Sequence, residues 1–303
     1  MSELRVGMVV PLDEDPTAGE PPPWDRLAGF ARQAEALGLD SLWVPDHLLT
    51  RFPGQPTRGE WEAWTVLAAL AAVTERVTLG PWVSSTAFRN PGLLAKTAAT
   101  VDGICGGRLI LGIGAGWHQP EFEAFGFPFD HRVGRFAESL EIVHGLLRTG
   151  ALDFAGRYHR VVDAELRPRG PREGAIPILV GARGRRMLEL TARFADAWNA
   201  WASWDRGRFV VPEQAAWLDQ ACREIGRDPA SVARTAGVLL AMPGEEPSRM
   251  APDRRLAGSP DAIVDALLSA ERAGISHVQV WLNPTTAETI EALAAIRRLL
   301  RTA

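Results

Sequence analysis

Apolar residues along this chain follow two alternating patterns. Short runs rich in Val, Ile and Leu are separated by longer segments whose apolar positions recur at helical spacing. The first run covers residues 4–10 and the first helical segment 24–37, where Leu27, Phe30, Ala31, Ala34 and Leu37 share a face and Gly38 supplies a C-terminal cap. Further strands are predicted at 41–44, 77–83, 109–113, 176–180, 196–200, 232–240 and 277–282. Helices are predicted at 61–72, 91–104, 132–147, 184–194, 212–225, 262–273 and 286–300. Pro91 opens one helix, and Ser259-Pro260-Asp261 forms a cap, a first-turn proline and an acid near the helix dipole for another. Residues 150–174 are less regular and read as an excursion before the fifth strand. Eight βα units without an internal linker or repeat predict a single (β/α)8 TIM barrel over residues 1–303.

Composition narrows the function classes. Hydrophobic residues make up 46% of the chain, enough for a large core, and the net charge of -4 does not suit a nucleic-acid or membrane-surface binder. Two cysteines, Cys105 and Cys222, argue for a reducing compartment rather than a disulfide framework. The opening MSELRVGMVVPLDEDP lacks a basic region followed by an apolar run, so a cytoplasmic setting is expected. Lys96 is the only lysine and lies within a predicted helix, which disfavours Schiff-base chemistry at a strand end. Six scattered histidines show no HExxH-type spacing, so no metal site is expected.

In a parallel barrel the chemistry belongs to the loops after the strands. Trp43, Trp82, Trp117, Trp198, Trp201, Trp204 and Trp281 all fall at or just after predicted strands. Each alone reads as core filling; together they suggest a flat pocket for an aromatic ligand. His47, after Asp46, is placed to carry a proton near neutral pH or, alternatively, to order its turn by bonding Asp46. The glycines of GIGAGW, residues 112–117, suit close approach of backbone to a ligand better than a dinucleotide fingerprint. Gly181-Ala182-Arg183-Gly184-Arg185-Arg186 combines free backbone, a helix start and three arginines, a phosphate-binding combination whose alternative is a plain turn with solvated arginines.

At GGRLILGIGAGWHQPEFEAFG the chain resembles the luciferase-like monooxygenase family, and within it the branch that uses the deazaflavin coenzyme F420. LGLDSLWVPDHL, EAWTVLAALAAVTERVTLG, FRNPGLLAKTAATVDGICGGRL, GRYHRV, IPILVGARGRRMLELTARFADAWN and AGSPDAIVDAL extend the resemblance nearly end to end. It implies a bacterial luciferase-like barrel with loop insertions at its C-terminal face. It implies F420 as cofactor, FMN being the alternative, with hydride transfer to or from a small-molecule substrate. An FMNH2-dependent monooxygenase and a non-catalytic flavin- or deazaflavin-binding protein are the other readings. By resemblance His47 lies beside the ring, with His118 a second proton-handling candidate, and Trp82–Val83 forms a non-proline cis peptide behind it. Gly114, Gly116 and Trp117 line the site, Gly181, Ala182, Arg183, Gly184 and Arg185 bind phosphate, and Trp198 and Asn199 border the ring. Trp117, His118 and Gln119 stand where some deazaflavin dehydrogenases carry an acid, which disfavours a sugar-phosphate substrate. Arg108 is expected to be structural, at the N-terminal face. A homodimer is expected, and specificity is expected in loops 48–60, 201–211 and 242–258.

Overall fold

The computed structural model describes residues 3–15, 19–243 and 251–302. Its barrel strands are β1 (Arg5–Val9), β2 (Ser41–Val44), β3 (Thr78–Pro81), β4 (Leu111–Gly114), β5 (Ile178–Gly181), β6 (Ala197–Trp201), β7 (Ala233–Ala241) and β8 (Ile275–Asn283). The helices are α1 (Trp24–Ala36), α2 (Ala63–Val73), α3 (Pro91–Ile104), α4 (Gln119–Phe125), α5 (Arg132–Thr149), α6 (Arg185–Phe194), α7 (Glu213–Glu224), α8 (Pro260–Arg272) and α9 (Ala287–Leu300). All neighbouring barrel strands pair in parallel, in the order β3-β2-β1-β8-β7-β6-β5-β4.

The ring closes through an interruption in its third strand. Thr78–Pro81 pairs with β2, whereas Ser84–Ser85 pairs with β4. Between them lie Trp82 and Val83, joined by a cis peptide bond. The Trp82 amide still donates to Val44 O at 2.6 Å, so the chain leaves β2 only after that residue. Deeper in the barrel, Ile110 N donates to Leu79 O at 2.8 Å and seals the seam.

Several loops hold structure that the hydrophobic pattern did not predict. Residues 150–174 contain an antiparallel hairpin, Ala151–Ala155 with Arg160–Glu165. The loop after β2 carries a second hairpin, Leu49–Thr50 with Arg58–Gly59. Helix α4 occupies the stretch expected to be loop after β4. Arg255–Leu256 adds to β7 in parallel, although residues 242–258 were expected to lack strand. Part of that expected specificity loop, residues 244–250, lies outside the described residues.

The N-terminal face is tied by charge. Arg108 donates to the carbonyls of Cys105, Val77, Ala71 and Thr74, the structural part expected of it. Arg297 grips Asp40 through two hydrogen bonds of 2.8 and 2.6 Å. No helix among the described residues is long and apolar enough to cross a membrane.

Candidate active site

The cis bond turns two successive side chains into different parts of the carboxyl mouth. Trp82 lies inward: its indole nitrogen donates to Asn199 Oδ1 at 3.0 Å, and its ring meets Trp201 edge-on at 4.8 Å between centroids. Gly237 makes room for it, since a Cβ there would fall 2.4 Å from the Trp82 ring. Val83 points toward β4 and β5. A Cβ on Gly112, Gly114 or Gly181 would come within 3.2, 2.8 or 3.0 Å of its methyl groups. Gly112 and Gly114 of GIGAGW and Gly181 ending β5 therefore form a cradle for Val83. Gly116 serves differently: its φ is +71°, and a Cβ would strike Phe122 at 2.4 Å.

Asn199 faces the interior and is fully engaged. Its Nδ2 donates to Thr235 Oγ1 at 2.8 Å and to Gln279 Oε1 at 2.7 Å, so Asn199 fixes Trp82 from beneath. Side chains alternate along a strand, so its neighbour Trp198 faces the helix layer. Trp198 is 1% exposed and donates to Ala182 O at 2.9 Å. This corrects the expectation that it borders a ligand: it holds the phosphate-candidate turn from behind. The seven tryptophans divide likewise. Trp43 is wholly buried and bonds Ser41, Trp204 is buried, and Trp82, Trp201 and Trp281 cluster inside the mouth.

His47 stands on the opposite rim. Its Nδ1 lies 3.0 Å from Glu121 Oε1, and the other oxygen of Glu121 accepts from Leu48 N at 3.0 Å. A carboxylate only accepts, so Nδ1 is the donor and Nε2 faces away from this pair. Burial opposes charge on the imidazole. The Glu121 hydrogen bond and the negative charges of Glu60, Glu121 and Asp46 outweigh it and raise the His47 pKa to about 9. Burial in turn raises Glu60 to about 7, against the pull of His47 and with the repulsion of Asp13, Glu121 and Asp46.

The partner of His47 is Glu121 and not the Asp46 that the turn-ordering alternative supposed. Asp46 instead takes both arms of Arg89, at 2.5 and 2.9 Å, and accepts from Ser84 Oγ and Ser85 N at 2.9 Å each. It thus straps the loop after β2 onto the resumed third strand. His118 is buried, and its Nε2 accepts from Arg51 N at 2.9 Å. That bond makes it a clamp on loop 48–60, with Nε2 engaged as an acceptor. Trp117 is 58% exposed and stands edge-on to His47 at 5.6 Å, an aromatic rim over the imidazole.

Across the mouth the turn after β5 is bare. Helix α6 begins at Arg185 behind Gly184, which has no side chain to cap it. A Cβ on Gly184 would meet nothing within 4 Å. Arg185 rests over Trp217 at 4.8 Å, Arg186 pairs with Glu189, and Arg183 is exposed without an ion-pair partner among the described residues.

Sequence reasoning missed Glu121, Glu60, and the Asp46–Arg89 pair. For Glu121 a signal was present: in HQPEF an acid follows a proline, a helix-start pattern that would have placed it in the first turn of α4. Glu60 left no such mark.

A parallel barrel with this third-strand interruption and a His47–Glu121 pair at its carboxyl rim points to the class. The chain belongs to the luciferase-like monooxygenase family, which it matches over residues 4–249. It is 33% identical over 171 residues to 5,10-methylenetetrahydromethanopterin reductase of Archaeoglobus fulgidus, covering 56% of this chain and 47% of that protein. It is 34% identical over 177 residues to F420-dependent glucose-6-phosphate dehydrogenase of Amycolatopsis mediterranei, covering 56% of this chain and 51% of that one. These matches span about half the length of those relatives. A 31% match over 254 residues links it to a phthiodiolone/phenolphthiodiolone dimycocerosates ketoreductase of Mycobacterium bovis, covering 78% of this chain and 65% of that protein. Among solved structures, an F420-dependent secondary alcohol dehydrogenase superposes with a TM-score of 0.80 at 18% identity, over 98% of each chain. Riboflavin lyase with modified FMN superposes at 0.78 and 16% identity, over 99% of this chain and 92% of that one. At such identities the structural likeness speaks to fold alone.

Proposed function

We propose that this chain is an F420-dependent oxidoreductase that transfers a hydride between the deazaflavin and a small organic substrate. The observation that carries the reading is the His47–Glu121 pair, held on the carboxyl rim of a barrel whose third strand breaks at Trp82–Val83. Relatives named as F420-dependent or as reductases support it.

The residues present fit a tricyclic, phosphate-bearing group. Val83, half-buried in its glycine cradle, offers an apolar backing for a flat ring. The uncapped start of α6 and the exposed Arg183 offer amides and positive charge to a phosphate. When bound, F420 supplies a carbon centre that gives or takes hydride.

The chain's own part is binding, orientation and proton handling. Glu121 fixes the imidazole through Nδ1 and leaves Nε2 as the end that can serve a reacting atom. With its pKa near 9, His47 enters the reaction carrying a proton at neutral pH, which suits reduction of a substrate carbonyl or similar acceptor. Trp117 and the Trp82–Trp201–Trp281 cluster give the mouth aromatic walls that favour an apolar or aromatic substrate.

FMN shares the tricyclic ring and phosphate, and the luciferase-like monooxygenase family to which the chain belongs keeps a flavin-dependent monooxygenase as the second reading. Fluorescence titration of the purified protein with F420 and FMN separates the two. Micromolar F420 binding with weaker FMN binding is expected; micromolar FMN binding without F420 binding would overturn the proposal.

A further inference from the structure

Two side chains at the start of α4 hold two backbone amides of loop 48–60 at matched spacing. His118 caps the helix and Glu121 follows three residues later; the amides they take, Leu48 and Arg51, are also three residues apart. Glu121 Oε2 accepts from Leu48 N at 3.0 Å, and His118 Nε2 accepts from Arg51 N at 2.9 Å. Between the two held amides runs Leu49–Thr50, paired with Arg58–Gly59, and Gly59 N donates to Glu14 Oε2 at 2.7 Å on the far side of that hairpin. The first strand of the hairpin is thus fixed at both ends, and the residue that emerges from the second clamp is Phe52.

Phe52 is set against the aromatic residues that follow β4. Its ring lies 4.9 Å from the His118 ring at 44° and 6.3 Å from the Trp117 ring at 34°. Trp117 in turn stands 5.6 Å from His47 and nearly perpendicular to it, at 82°. Phe52 is half-buried and Trp117 is mostly exposed. Two tilted rings from separate loops therefore leave apolar surface in water directly beside the imidazole. Covering such surface with an apolar group is favourable, and a ring face favours another ring. The polar atoms at the base of this wall, His118 Nε2 and the Arg51 amide, are spent on each other.

We propose that Phe52 is a specificity-determining residue. With Trp117 it forms an aromatic wall beside His47 that selects substrates carrying an aromatic group next to the reacting carbon. His118 is the positioning residue that sets this wall through the Arg51 amide. The proposal deepens the functional reading and rests on His47 marking the reacting end of the substrate, but not on which cofactor binds. It places substrate preference in the contact between the loops after β2 and β4, across the mouth from the buried Trp82–Trp201–Trp281 cluster.

The test uses acetophenone and acetone as probes, titrated against the purified protein by ligand-observed NMR, first without cofactor and then with F420. The wild type should bind acetophenone more tightly than acetone. Phe52→Ala should lower that affinity ratio about fivefold, and Phe52→Leu, apolar without a ring, should lower it less. No preference in the wild type, or an unmoved ratio in folded Phe52→Ala, would overturn the proposal. Amide hydrogen exchange reads the positioning role. The Arg51 N–H should exchange roughly tenfold faster in His118→Phe, which keeps a ring but loses the acceptor. It should stay near the wild-type rate in His118→Gln, whose Oε1 offers an acceptor at similar reach. The affinity ratio should fall in His118→Phe and return in His118→Gln. Equal Arg51 exchange in wild type and folded His118→Phe would refute the positioning role. Should His118→Phe not fold, the Phe52 series decides, since it removes no side-chain hydrogen bond. F420 binding with an unmoved ratio would count against the wall alone, whereas a lowered ratio in a protein that binds no F420 would count against the functional reading alone.

Discussion

The floor and the mouth of this barrel handle the same residue type in opposite ways. In the lower half, His277 on β8 is buried, with Nε2 2.7 Å from Ser41 Oγ; burial, with the charge of Arg5, pushes its pKa down to about 3. At the mouth, burial also opposes charge on His47, yet Glu121, Glu60 and Asp46 drive its pKa up to about 9. The floor's main carboxylates are saturated: Asp40 by Arg297 and Val6 N, Asp102 by Arg172 and Leu109 N, and Glu35 by the amides of Glu75, Arg76 and Val77. The mouth leaves Glu60 Oε2 orphaned and the start of α6 uncapped. Saturated polar groups hold a fold, and unsatisfied ones are available to a ligand. The division matches the general rule that barrel chemistry sits at the carboxyl end of the strands.

Breaking the floor should cost the most. Asp102 is wholly buried and binds Arg172 through two guanidinium nitrogens, so Asp102→Ala leaves a partly buried charge without its partner. The expected loss of stability is about 3–5 kcal/mol by urea unfolding. Folded Asp102→Ala protein should bind cofactor as the wild type does. Equal damage to both properties would mean the two ends are not separable.

The two histidines should shape opposite limbs of the stability curve. The folded pKa of His47, about 9, lies above its ordinary 6.5, so its stabilisation is full below pH 6.5 and lost as pH rises through 9. For His277 the folded value of about 3 lies below 6.5, so the unfolded chain takes up the proton first and stability falls as pH drops from 6.5 toward 3. The effect is on the order of 3 kcal/mol for His47 and on the order of 5 kcal/mol for His277. Urea midpoints against pH should form a dome, with His277→Asn flattening the acid side and His47→Asn the alkaline side. A dome that neither variant changes would remove the contrast.

A smaller and local effect is expected on turnover. His47→Ala should keep the fold and lower kcat at least tenfold, about 1.4 kcal/mol of barrier, with little change in cofactor Kd. Unchanged steady-state kinetics would take His47 out of the active site.

The contrast also explains what could be read from sequence. Strand and helix periods are local, so the eight units emerged with boundaries mostly within two residues of those observed, as with 24–37 against Trp24–Ala36. The cis bond at Trp82–Val83 followed from family resemblance, and the structure has it there. The charge network was not legible, because its pairs join distant positions: His47 to Glu121 across 74 residues, Asp46 to Arg89 across 43. Trp198 was misplaced for a different reason. Strand parity assigns one of two neighbours to the interior, and the expectation took both Trp198 and Asn199.

The smallest expected effect lies at the turn after β5, where the open side of the mouth is most exposed to test. Gly184 has φ -85° and ψ 152°, an extended conformation open to any residue, and an added Cβ meets no atom within 4 Å. Gly184→Ala should therefore leave stability within about 0.5 kcal/mol of wild type. A methyl group at the uncapped helix start shields amides that a phosphate would use, so F420 affinity should fall severalfold in the same variant. Arg183→Ala should weaken binding at low salt and matter less as ionic strength rises, because an exposed charge is screened. If both variants bind F420 like the wild type at low salt, the anion is held elsewhere, and the bare turn after β5 is only a turn.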